Sequence, residues 1–325
     1  MKKLFCLILS LIFVLSLTAC GGNAEPHDNV FKVAIVQQLD HSSLDEIRTA
    51  IEAQLNALAE PTNYTISIEV YNGQNDASLL NQIGTQVVSD KVDMIIPIAT
   101  LAAQSMVTAA EGTDIPIVYA AVSDPESAGL TGIPTVTGVS DALNTPFILD
   151  MMLAADPDIQ SVGLLYSNSE INSHTPIAEA KAYLDSKGIS YLEKTGNTAN
   201  EIIAAASDLS GRVDAVFTPT DNVVMATEAA VAELFTEAGI PHYTGADSFV
   251  LSGAFATCGV NYTELGAKAA DIAFAILCGG ETGDFHIMDG GIITVNTDTA
   301  NAIGLDYSVF STMANTVNAI TTVVD

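Results

Sequence analysis

Three aspartates, Asp124, Asp221 and Asp247, stand just past the ends of short apolar runs, where an ionised side chain meets loops rich in hydroxyls and amides. Those loops are residues 37–43, 100–105, 123–125, 167–173, 220–222 and 247–248. Open parallel sheets bind ligands outside the carboxyl ends of their strands, so the six loops form a candidate rim. They contain no Lys or Arg. A phosphate or multiply anionic guest usually recruits a cation. Acids and hydroxyls instead suit a guest with an amine or several hydroxyl donors. A carboxylate on that guest could dock where a helix opens at Thr100, since free N–H groups and the helix dipole favour negative charge there.

Catalytic constellations are missing from the sequence. There is no GxxxxGK[ST] loop, no GxGxxG, no HExxH and no GxSxG elbow. The histidines, His27, His41, His174, His242 and His286, are scattered. His41 and His174 fall in rim loops, but structural roles are the better reading for all five. Aspartates at such turns also serve commonly as helix caps. The expectation is a binding protein and not an enzyme, with no catalytic residue, no metal and no cofactor.

The elements that must position this rim alternate between strand and helix from residue 31 onward. Strands are predicted over 31–36, 66–70, 92–98 and 115–122. Helices are predicted over 77–88 and 100–110, and from a cap at Ser43, where Glu46 completes a capping box. Leu44, Ile47, Ile51, Leu55 and Leu58 then recur at helical spacing. The pattern restarts with helices at 147–155, 177–187, 201–208 and 223–238, and strands at 162–166, 189–192, 213–217 and 241–244. Residues 92–96 (VDMII) echo 213–217 (VDAVF); each is followed by a polar turn, an Ala-rich helix and an Ile-Pro pair. The fold class expected is α/β, with two similar doubly wound parallel-sheet lobes.

The 325 residues carry 10 bases against 39 acids, a net charge of −29. That balance excludes nucleic acid, whose phosphates need basic partners, and argues against broad contact with anionic lipid. Lys2 and Lys3 precede an apolar run to Leu17, and Leu17-Thr18-Ala19-Cys20 reads as a lipoprotein cleavage box. Residues 1–19 are expected to leave as a signal peptide. Cys20 is then the lipidated residue that anchors the chain outside the cytoplasm on a bacterial membrane. Residues 20–30 read as a flexible tether. Cys258 and Cys278 read as two buried free thiols, with a disulfide between them as the alternative.

These stretches together resemble the ABC-transporter substrate-binding lipoproteins that include tryptophan- and other aromatic-amino-acid-binding receptors. The resemblance rests on residues 36–38 with His41, 44–45, 98–100 with 103–104, 121–125, 136–140, 165–170 with 172–173, 221–222 and 245–247. It implies a periplasmic-binding-protein type I fold, whose lobes are joined by crossing hinge segments and close on a ligand. Lobe 1 is expected as 31–140 plus 259–282, and lobe 2 as 141–258 plus 283–325. Crossovers are expected at Ser140-Asp141, Cys258-Gly259 and near Thr282.

The ligand residues the resemblance implies are Gln38, Thr100, Ser123, Asp124, Ser167, Asn168, Asn172, Ser173, Asp221 and Asp247. Thr100 and Ser123 would hold a ligand carboxylate. Asp221 would pair with its ammonium, with Asp247 as alternate. Leu101-Ala102 departs from the Pro-Ser that relatives often carry, which removes a hydroxyl contact. The function implied is that of a monomeric receptor handing a small molecule, an aromatic or other apolar amino acid, to importer permease subunits. A nucleoside or sugar-like ligand and a sensor for a membrane signalling partner are the alternatives.

Overall fold

The computed structural model describes residues 29–323. Cys20, the tether and the leader lie outside them. Among the described residues no helix is long and apolar enough to cross a membrane.

The first sheet contains β1 (Val30–Gln37), β2 (Thr65–Asn72), β3 (Met94–Ile98), β4 (Ile117–Ala120), β5 (Val136–Ser140) and the short β11 (His286–Ile287). Its order is β11-β5-β4-β3-β1-β2, and every pairing is parallel. All five residues of β3 are buried, as a strand covered by helices on both faces requires. Helix α1 (Ser42–Ala59) lays Ile47, Ile51 and Leu55 into this core. The other helices in the first half of the chain are α2 (Ala77–Ser89) and α3 (Thr100–Ala109).

The second sheet contains β6 (Ser161–Tyr166), β7 (Ser190–Thr195), β8 (Ala215–Thr218), β9 (His242–Thr244), β10 (Ala256–Gly259), β12 (Ile292–Asn296) and β13 (Thr316–Ile320). Its order is β13-β12-β10-β9-β8-β6-β7. Only the β10–β12 pairing is antiparallel. The run β7-β6-β8-β9-β10 repeats the first sheet's β2-β1-β3-β4-β5. The sequence echo is thus a topological repeat, with β3 and β8 as equivalent strands.

Helices of this half are α4 (Thr145–Ala155), α5 (Ile171–Lys187), α6 (Ala199–Leu209), α7 (Asn222–Met225), α8 (Glu228–Glu237) and α9 (Asp247–Leu251). Two departures from the sequence reading matter. The helix expected from 177 begins at Ile171 and carries Pro176 inside it. The helix expected over 223–238 breaks at Ala226-Thr227, where the Thr227 hydroxyl turns back onto the Val224 carbonyl at 3.0 Å.

The chain passes between the sheets after Ser140 and again after Gly259, where α10 (Tyr262–Leu277) returns to pack on α1. Gly266 permits that approach, since a Cβ there would lie 2.6 Å from the Ile47 carbonyl oxygen. The third passage is later than the expected Thr282. His286 and Ile287 still pair with Val139 and Ser140, so the chain leaves the first sheet only between β11 and β12. α11 (Thr297–Ile303) follows β12. Among the described residues Cys258 and Cys278 are both free, but Cys278 is exposed rather than buried because it caps the solvent end of α10.

Candidate functional site

The carboxyl ends of the two sheets face each other across a small cavity. Its wall includes His41, Ser43 and Leu44 after β1, Ala99 and Thr100 after β3, and Ala121 and Ser123 after β4. The second lobe supplies Asn172, Thr220, Asp221, Asn222, Met225 and Phe249. Asp141 and Tyr262 enter beside the crossovers. The cavity measures about 30 Å³, against roughly 300–1,000 Å³ for typical ligand pockets. A guest of that size would fit only if the rims parted.

The first lobe leaves its rim groups open. Ala99 (φ 74°, ψ 165°) and Ala121 (φ 56°) hold the left-handed backbone that favours glycine, at the ends of two adjacent strands. Such strain clusters at ligand clamps. Ala99 hands the chain to α3 and supplies no side-chain cap of its own. Leu101 N–H donates to Gln38 Oε1 at 3.0 Å. The start of α1 differs from the expected capping box. Its N-cap is His41, which makes no capping bond, and the Ser43 hydroxyl is buried without a partner. Glu46 instead accepts from the Thr263 hydroxyl at 2.5 Å.

The second lobe's buried acids are already hydrogen-bonded. Asp221 is fully buried and caps α7, its Oδ1 accepting from Val223 N–H (3.1 Å) and Val224 N–H (3.0 Å). Its Oδ2 accepts from Ser167 N–H and the Ser173 hydroxyl, both at 2.7 Å. Four donors fill the four lone-pair positions of that carboxylate. Glu170, also buried, accepts from Gln38 Nε2 (3.0 Å) across the lobes and from Asn222 Nδ2 (2.7 Å). Burial, then the Asp221 charge, raises the Glu170 carboxyl above the ordinary range.

Further direct bonds tie the lobes. His41 Nε2 meets Asn222 Oδ1 at 3.1 Å, the Ser123 and Thr220 hydroxyls lie 3.0 Å apart, and the Thr175 hydroxyl donates to Asp124 Oδ2 at 2.6 Å. Asp141, buried at the first crossover, accepts from the Ser123 hydroxyl (2.9 Å) and the Tyr262 hydroxyl (3.3 Å). Burial raises its carboxyl, and those bonds oppose the rise.

The ten residues named from the sequence fall into three groups. Thr100, Ser123, Asn172 and Asp221 line the cavity. Gln38, Ser167 and Ser173 stand behind that wall and hold Glu170 or Asp221. Asn168, Asp124 and Asp247 lie elsewhere. Asn168 is exposed and donates to the Thr195 hydroxyl. Asp124 fastens Ser127 and Thr175 at another mouth of the interlobe gap. Burial opposes ionisation of Asp124, but bonds from Ser127 and Thr175 hold its carboxyl below the usual range. Asp247 faces a separate recess beside Glu46; burial, then the Glu46 charge, pushes it up to about 6.

Asp141, Ser43 and Tyr262 are wall residues the sequence reading did not name as ligand residues. In the sequence Asp141 stands out only as a crossover, and Ser43 as a helix cap at the end of the 37–43 rim loop. A wider concavity of about 990 Å³ lies against the crossovers, lined by Ala142, Leu143, Cys258, Gly259, Gly290 and Gly291. Its wall holds no unpartnered buried polar side chain, unlike the rim cavity, which holds two.

Residues 32–312 match the family of ABC transporter substrate binding proteins. The chain belongs to that family. It is 31% identical over 94% of its length, and 93% of the relative's, to a tyrosine-binding protein of Clostridioides difficile. It superposes at a TM-score of 0.82 and 27% identity on the ABC domain of Streptococcus pneumoniae in complex with L-Trp, covering 88% of this chain and 99% of that one. Against the ligand-free, open structure of a substrate-binding protein with adhesive properties from Clostridium difficile the TM-score is 0.68 at 31% identity, covering 90% and 100%. The fold is that of type I periplasmic binding proteins. Substrate-binding proteins of this family are extracytoplasmic and take small-molecule ligands.

Proposed function

We propose that this receptor captures a free aromatic amino acid between its lobes and delivers it to importer permease subunits, from a lipid anchor on Cys20. The observation that carries the reading is a cavity that joins buried acids, a helix start whose N-cap residue, Ala99, offers no side-chain cap, and an apolar wall of Leu44, Met225 and Phe249. Relatives that bind tyrosine and tryptophan support it. The higher TM-score to the L-Trp complex than to the open form accords with the direct bonds that draw the two rims together.

The roles within the cavity follow from which groups have capacity left. The α3 N-terminus and the Thr100 hydroxyl receive the ligand carboxylate, where N–H groups and dipole are favourable. Asp141 takes the ammonium. It lines the cavity and has accepted only two side-chain bonds, whereas Asp221 has no lone pair left. Ser123 leans on Asp141 and so belongs to the ammonium end. Closure is a population shift toward the form in which the ligand touches both lobes.

Titration calorimetry of the purified chain tests this reading against tyrosine, tryptophan, phenylalanine, a nucleoside and a pentose. One-to-one binding of an aromatic amino acid at about 10 μM or tighter, roughly −7 kcal/mol, is expected. Heat from the nucleoside or pentose alone would end the proposal.

A further inference from the structure

Among the described residues, two polar atoms in the cavity wall have no hydrogen-bond partner. They are His41 Nδ1 and Ser43 Oγ, and both are buried. Such atoms have given up water without a replacement bond, so a guest that satisfies them is favoured. The Ser43 side belongs to a residue only 3% exposed.

The surrounding hydrogen bonds fix what His41 can offer. Asn222 Nδ2 is committed to Glu170 Oε2 at 2.7 Å, and Glu170 Oε1 takes Gln38 Nε2 at 3.0 Å. Asn222 therefore turns its carbonyl oxygen toward His41, and only an N–H on His41 Nε2 can complete that 3.1 Å contact. Burial lowers the proton affinity of the ring, so one nitrogen stays bare. Nδ1 is then a lone-pair acceptor that needs a donor from the guest. A ligand carboxylate has none. Ser43 Oγ, one residue beyond Ser42, can donate or accept.

Resting on the reading of the cavity as an aromatic amino-acid site, we infer that His41 and Ser43 read a hydroxyl on the ligand's ring and make the receptor prefer tyrosine to phenylalanine. A phenol donates its proton to His41 Nδ1 and accepts from Ser43 Oγ, so a single group meets both needs. Leu44, Met225 and Phe249 share the wall with them and offer the ring an apolar surface. An ammonium group would leave no acceptor for the Ser43 proton, and it has Asp141 available.

Calorimetry on the full chain with tyrosine and phenylalanine decides the matter, in the native protein and in Ser43→Ala and His41→Phe. The native protein should hold tyrosine at least about tenfold tighter, as expected when a missing hydroxyl strands polar groups. Ser43→Ala should lose tyrosine affinity toward the phenylalanine value while phenylalanine affinity stays within about twofold, which also shows the variant is folded. His41→Phe also removes the donor to Asn222 Oδ1, so it is read by the tyrosine-to-phenylalanine affinity ratio, which should fall toward one; a ratio that stays at the native value overturns the inference. Equal native affinity for the two ligands overturns the inference alone. So does a parallel loss of both ligands in Ser43→Ala, since the hydroxyl would then serve the shared backbone of the amino acid. Binding of tryptophan with neither tyrosine nor phenylalanine overturns this inference and leaves the aromatic reading standing, whereas failure to bind any of the three removes both.

Discussion

The turns that follow β3 and β8 occupy equivalent places in the two halves, yet they treat their polar groups in opposite ways. After β3, Ala99 bends through a backbone region that suits glycine and gives α3 no cap of its own, so Gln38 Oε1 on Leu101 N–H is the side-chain acceptor there. After β8, Asp221 caps α7 and takes two more donors from Ser167 and Ser173. The same contrast holds one strand over. After β1, Ser43 and His41 keep unpartnered atoms. After β6, the Glu170 carboxylate is held from both lobes. Repeated topology therefore does not repeat chemistry. One lobe keeps capacity for a guest, and the other uses its acids to fix its own loops.

The sharpest way to break this comparison is Asp221→Ala. It strands four buried donors, so stability should fall by about 2–4 kcal/mol in denaturant titration, together with affinity. Unchanged stability with lost affinity would show that Asp221 serves the ligand and not the fold. Next is Asp141→Asn. Under the proposed roles it should weaken an aromatic amino acid roughly 30- to 100-fold, or about 2–3 kcal/mol, by calorimetry, with a smaller change in melting. An affinity that survives this change would return the ammonium to another acid.

A milder effect concerns pH. Asp247 has its carboxyl raised by burial, then by Glu46, from 3.8 to about 6. The folded form therefore holds the proton more tightly than the unfolded chain, and this site's contribution to stability grows as pH falls through about 6 toward 3.8. Asp247→Asn should raise the melting temperature at pH 7.5 and reduce the gain on acidification. A variant with the native pH slope would sink that assignment. The smallest effect expected is from Ala99→Gly. Relief of the strained backbone should exceed the added unfolded-state entropy, raising stability by about 1 kcal/mol. A loss of stability on heating would mean the left-handed turn carries no strain.

Much of the architecture was legible before any coordinates. The alternation of strand and helix, the echo between residues 92–96 and 213–217 and the α1 core positions all correspond to elements of the structure. These depend on spacing within a few residues, which sequence displays directly. Boundaries were less legible where a side chain decided them. Thr227 broke a helix that hydrophobic spacing would have continued, and Pro176 did not prevent one from starting at Ile171.

Residue order alone specifies the sheet-forming runs, their twofold repetition and a rim of acids and hydroxyls without a cation. Which of those groups keep free hydrogen-bonding capacity depends on contacts that form only on folding. Gln38 and Glu170 are 132 residues apart and His41 and Asn222 are 181 apart, and each pair settles the donors and acceptors left over at the cavity. Hydrogen-bond saturation depends on partners brought together by folding, so Asp221 and Asp141 look alike as letters and differ entirely in place.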